Sequence, residues 1–203
     1  MTRLRNEAAS ARQVRLFVAL DVPEEVREAL GKMIARLKQS APKLRGARWV
    51  RPEGMHVTLK FIGHVEETRL GAIREALAKV VWQEAIEMRF RGAQFLPSER
   101  SPRVLAAGVE ISPHAGKLAA EIDRALIPLG VPAETREFMP HLTLARLKSR
   151  EGAEALVQAA AEMATQDFGS ARAAEFHLYE SLLRPSGAEY RRVASYPVGQ
   201  AAV

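Results

Sequence analysis

No cysteine occurs in the 203 residues, which excludes disulfides, zinc-thiolate sites and cysteine nucleophiles. A chain without disulfides suits a reducing compartment. No apolar run approaches the ~20 residues of a membrane span. The stretch Leu16 to Leu20, which follows a polar and basic start, is too short for a signal-peptide core. A soluble cytoplasmic protein is therefore expected, with residues 1–13 as a loose tail. Acidic residues are missing from 54–65 and from 138–150. Against these absences stands a hydrophobic share of 47%, enough to build a packed core. Lys and Arg outnumber Asp and Glu by 30 to 24, a net charge of +6. That charge fits an anionic partner such as nucleic acid, and equally a basic, soluble surface.

Patterning divides the chain into two similar runs. Arg15 to Val22 reads as a buried strand, and Pro23 opens a helix to Lys38 with Val26, Leu30, Met33, Ile34 and Leu37 at helical spacing. A short extended piece at Arg48–Val50 precedes a strand that ends near Gly63. A helix over Glu66–Trp82 and a strand over Ile86–Leu96 follow. The polar segment 97–103 reads as a hairpin or connector. The second run comprises a strand at Val104–Ile111, a helix at Pro113–Leu129, an extended piece after Pro132, a strand over 140–147 and a helix at Glu151–Thr165. Closing strands are predicted at Phe168–Ser181 and Tyr190–Val198, with Ser186-Gly187 in the turn between them. The repeated order indicates an internal duplication within one domain over 14–198, and residues 199–203 form a second tail.

The duplication carries a motif. Met-His-Val-Thr-Leu-Lys-Phe at 55–61 is echoed by Pro-His-Leu-Thr-Leu-Ala-Arg at 140–146, with the histidines 85 residues apart. On a strand, residues i and i+2 share a face. His56 and Thr58 then point one way, as do His141 and Thr143, while Val57, Leu59, Leu142 and Leu144 point into the core. Five histidines and six threonines in random order would give well under one His-x-Thr in a chain of this length. His64, His114 and His177 lack this context and receive no role. Lys60 and Lys148 read as peripheral charge.

Two imidazoles can divide acid–base work. Near neutral pH one can be protonated and the other neutral, so one gives a proton while the other takes one. Displacement at phosphorus needs these groups on opposite sides of the phosphate, with the threonine hydroxyls on its non-bridging oxygens. A metal site is the competing reading, but no carboxylate or cysteine accompanies either histidine, and Thr is a poor zinc ligand. An RNA-binding module without catalysis would use the basic surface yet leave the paired histidines unexplained.

His56-Val-Thr-Leu59 and His141-Leu-Thr-Leu144 resemble the paired motifs of the 2H phosphoesterase superfamily. With Arg15-Leu-Phe-Val-Ala-Leu20, Phe138-Met-Pro140 and the Leu178 to Tyr190 tail, the chain is similar to the LigT-type RNA 2′,3′-cyclic phosphodiesterases. The resemblance implies an α+β, bilobal fold: pseudo-two-fold antiparallel sheets, helices outside and a central cleft. It implies hydrolysis of a terminal RNA 2′,3′-cyclic phosphate to a 2′-phosphate and a 3′-hydroxyl, without metal or cofactor, by a monomer. His56 would be the proton donor and His141 the acceptor. Thr58, Thr143 and Arg146 would hold the phosphate, and Phe61 would stack on a base. Phe61 and Arg146 each stand five residues past their histidine, an odd offset that alternation sends to the wrong face. A bend is needed to bring them back. Reverse 2′-5′ joining, 2′-5′ oligonucleotides and small cyclic nucleotide phosphates remain as variants of the same chemistry.

Overall fold

The computed structural model describes residues 12–184 and 187–199. One antiparallel sheet of nine strands curls through the molecule, and four α-helices cover it among the described residues. In chain order the elements are β1 (Gln13–Asp21), α1 (Glu24–Ser40), β2 (Ala47–Trp49), β3 (His56–Glu66), α2 (Leu70–Ala78), β4 (Ile86–Ser98) and β5 (Ser101–Ile111). There follow α3 (His114–Leu126), β6 (His141–Leu147), α4 (Ala153–Ala161), β7 (Asp167–Ala173), β8 (Glu175–Arg184) and β9 (Gly187–Pro197). Along the sheet the order is β7-β4-β5-β6-β3-β1-β8-β9, with the short β2 added beside β6. No helix among the described residues is long and apolar enough to cross a membrane.

The sheet has two arms. β3, β1, β8 and β9 form the first; β6, β5, β4 and β7 form the second. β3 and β6 are joined through a single residue pair, Val57 opposite Leu142. The halves of the chain interlock across this joint. α1 leaves the first arm and packs on β7 and α4 of the second, whereas α3 leaves the second arm and packs on β3 and α2 of the first. β4 is likewise given to the second arm by the first half, and β8 to the first arm by the second half. The buried apolar side chains of both arms form one continuous core.

The α+β fold expected from the sequence holds, and several boundaries move. β1 starts at Gln13, inside the expected tail, because it pairs with Glu66 at the far end of β3. β3 therefore runs past Gly63, and the helix expected from Glu66 begins at Leu70 after a 3-10 turn at Glu67–Arg69. Trp82 is outside that helix and bridges Val198. Pro23 caps α1 instead of opening it, with Glu24 and Glu25 in the first turn where they suit the helix dipole. Pro128 and the left-handed Gly130 end α3 through a 3-10 turn. Gly152, at φ 74°, delays α4. No strand forms between Val131 and Pro140. The segment 97–103 is a hairpin whose strands continue to Ser98 and from Ser101. Phe168–Ser181 is two strands, since Ala174 separates β7 on β4 from β8 on β1. Ser186 lies outside the described residues, and Gly187 already belongs to β9.

Candidate active site

The site is built at the joint. Val57 and Leu142 are fully buried, so alternation turns His56, Thr58, His141 and Thr143 to the opposite face, where all four are partly exposed. Carrying the antiparallel register one residue either way sets His56 across from Thr143, and Thr58 across from His141. Each imidazole faces the hydroxyl of the other arm.

Both rings are held in the same way. The Nδ1–H of His56 donates to the Gly54 carbonyl at 2.8 Å, and that of His141 donates to the Met139 carbonyl at 2.9 Å. A carbonyl oxygen only accepts, so Nδ1 carries the hydrogen in each ring and Nε2 is left for chemistry. In each case the anchor is the carbonyl two residues upstream.

The bend that Phe61 and Arg146 require is present twice. β1 pairs Ala19 with Thr58 and Val18 with Lys60, which leaves Leu59 as an extra residue. β5 pairs Ala106 with Thr143 and Leu105 with Ala145, which leaves Leu144 extra in the same way. A bulge shifts the phase of alternation by one residue. Burial from His56 to Ile62 and from His141 to Leu147 then follows one pattern, with Phe61 and Arg146 the exposed positions. Phe61 is 52% exposed and stands 6.3 Å from Phe17, whose ring is in turn 4.6 Å from that of His56.

The arms differ beside the histidines. His56 has Asp21 across the strand, whereas His141 has Gly108. A Cβ on Gly108 would come within 2.5 Å of the Arg91 carbonyl oxygen, so no side chain fits there. Phe17, Asp21, Arg27, Glu53, Tyr190 and Arg192 line a cavity of about 300 Å³ next to His56. The rings of Phe17 and Tyr190 both lie against His56. Asp21 accepts from Tyr179 Oη at 2.5 Å and from Arg192, and Nε2 of His177 is 3.4 Å away. Burial, with the bond to Asp21, pushes the Tyr179 hydroxyl up to about 12, so it stays a donor.

Burial also lowers His56 to about 4; its bond to Gly54 and the charge of Asp21 act upward, and nearby Arg146 and His141 act downward. The free protein thus holds His56 neutral at pH 7. Arg146, five residues along from His141, is near enough to weigh on the charge of His56.

Two residues read as incidental are structural. Lys60 is 5% exposed rather than peripheral: Nζ sits 2.5 Å from Asp123 of α3 and 2.7 Å from the Pro132 carbonyl. The bulge at Leu59 turns it inward. His177 is buried, with Nδ1 2.8 Å from the Ser195 hydroxyl. Asp21, Tyr190 and Arg192 were given no role on sequence. A signal existed for Asp21, the one acid in the apolar run Leu16–Val22. Among the described residues, no three His, Cys, Asp or Glu side chains gather as a metal-binding group.

The family model for LigT-like phosphoesterases matches residues 20–106 and 109–190, and each span holds one His-x-Thr. The chain belongs to the LigT-like phosphoesterase family. An RNA 2′,3′-cyclic phosphodiesterase of Archaeoglobus fulgidus is 32% identical over 178 residues, 88% of this chain and 97% of that protein. A Thermus thermophilus crystal structure superposes with TM-score 0.73 at 29% identity, covering 91% of this chain and 98% of the other. Escherichia coli LigT complexed with phosphate gives 0.67 at 26% identity, over 94% and 100%. This LigT-like chain therefore matches these three proteins over nearly their whole length.

Proposed function

We propose that this LigT-like phosphoesterase hydrolyses the 2′,3′-cyclic phosphate at the end of an RNA chain to a 2′-phosphate and a 3′-hydroxyl. The carrying observation is the pair of carbonyl-anchored imidazoles at the meeting point of the two arms, each opposite a threonine hydroxyl. Relatives named for this activity support it. Water attacks phosphorus as His141 Nε2 takes its proton. The P–O3′ bond breaks, and O3′ receives the proton carried by His56 Nε2. Thr58 and Thr143 donate to the non-bridging oxygens, Arg146 offsets their charge, and Phe61 stacks on the terminal base. The reaction needs no metal or cofactor. The acting unit is one domain from β1 at Gln13 to residue 198, monomeric and cytoplasmic.

His56 is neutral when free, so its acid role depends on the substrate. A phosphate anion set beside His56 raises its proton affinity. The low value in the free protein favours a second allocation, in which His56 is the base and His141 the acid.

The test is turnover of an oligonucleotide ending in 2′,3′-cyclic phosphate, with product analysis, in excess EDTA. His56→Ala and His141→Ala should each lower kcat by at least about 10²-fold while far-ultraviolet dichroism stays unchanged. Full activity in both variants rejects the proposal, as does a 3′-phosphate product. An aryl phosphodiester with a good leaving group separates the two allocations. It should rescue the variant lacking the acid and leave the variant lacking the base inactive.

A further inference from the structure

Arg146 has a neighbour that the paired motifs do not contain. β2 lies along β6 where β3 has parted from it, and places Arg48 directly opposite Arg146. Directly opposed residues of an antiparallel pair share a face, so Arg48 stands with Arg146 on the cleft side, and both are exposed. The register of β2 is well held. Val50 N–H donates to the Leu144 carbonyl at 2.8 Å at one end, and Lys148 N–H to the Gly46 carbonyl at 3.3 Å at the other. Trp49 on the opposite face is covered by Lys38 Nζ, 5.4 Å from its ring centroid.

Like charges directly opposed on a sheet are destabilising. Three other arginines of this sheet are paired with carboxylates: Arg89 with Asp167, Arg191 with Glu180 and Arg192 with Asp21. Neither Arg48 nor Arg146 has a carboxylate partner among the described residues. Among the described residues β2 has no counterpart in the first arm, so this second arginine is an addition to the duplicated plan. It sits one strand spacing, ~4.8 Å, from Arg146, on the side of β6 that β3 occupies at His56. It flanks the His56–Thr143 end of the quartet, whereas Phe61 flanks the other end.

We propose that Arg48 binds the internucleotide phosphate next to the cyclic end, while Arg146 serves the scissile group. The inference rests on the function proposed above and extends it: the substrate is a chain of at least two nucleotides, held at two consecutive phosphates. A guanidinium with no acid to satisfy it suits a phosphodiester oxyanion.

The experiment compares kcat/KM for a short oligonucleotide and for a mononucleoside, both ending in 2′,3′-cyclic phosphate, in the wild type, Arg48→Ala and Arg48→Lys. In Arg48→Ala the ratio of oligonucleotide to mononucleoside kcat/KM should fall about tenfold, with the salt dependence for the oligonucleotide flattened by about 0.7 in log–log slope. Arg48→Lys keeps the charge and should keep the salt slope. An equal loss on both substrates overturns the proposal by placing Arg48 on the scissile group or in the fold. An unchanged ratio also overturns it. A wild type inactive on both substrates would instead sink the proposed function itself.

Discussion

His56 is the residue in which structure and chemistry pull against each other. The aromatic wall of Phe17 and Tyr190 removes water from the ring, and burial outweighs the help of Gly54 and Asp21. The sign for stability follows from the two states. Unfolded, the imidazole binds its proton near ~6.5; folded, it does so at about 4. Above the first value both states are neutral and the contribution to folding is fully present. Between the two values the unfolded chain binds the extra proton, so stability falls with pH and levels off below 4. The loss amounts to about 3 kcal/mol at most. Unfolding free energies from urea titrations at pH 7.5 and 4 should therefore differ less in His56→Asn than in the wild type, by roughly that amount. Equal pH sensitivity in the two proteins would reject the burial account. At this scale the histidines and threonines were legible as a group, since type and spacing lie within one strand, whereas Phe61 and Arg146 came from the family resemblance against strict alternation. Asp21 was not legible as a partner of His56, because the register that joins them is set by the fold.

At the scale of elements, β3 and β6 are the informative strands. Strict alternation sends Phe61 and Arg146 away from the histidines, and the bulges at Leu59 and Leu144 bring them back. A bulge is a property of two paired strands, so a single strand's pattern does not reveal it. The same bulge turns Lys60 inward to Asp123, which fastens α3 to β3. Removing one partner of a buried pair leaves the other charge unmet. Asp123→Asn should thus cost about 3 kcal/mol in a denaturation measurement, and Lys60→Met with Asp123→Leu together should cost less. A single variant as stable as the wild type would show that the pair holds nothing. The division of Phe168–Ser181 was hidden for a similar reason. One residue, Ala174, parts strands that lie in opposite arms of the sheet, and no turn signature marks it.

At the scale of the whole molecule, the duplication was legible because it orders elements along the chain. The exchange between halves was not, since packing partners leave no periodic trace. α1, α3, β4 and β8 each cross to the arm that the other half begins, and the core runs unbroken through both. Neither half encloses a core alone, so unfolding should be a single transition. Trp49 reports on the second arm through β6, and Trp82 on the first through Val198. Trp49→Phe and Trp82→Phe leave one indole each, and their fluorescence midpoints should coincide with the loss of far-ultraviolet dichroism. Separate midpoints for the arms would contradict a shared core.

The crossing elements also bear on descent. A half-length precursor that traded the same helix and strand with a twin would have formed a symmetric homodimer, its two rings identical by necessity. Covalent fusion would have released each copy to drift on its own, and the two rings now differ, with Asp21 beside one and Gly108 beside the other. From that step on, the two imidazoles would stand in unlike surroundings and need no longer behave alike.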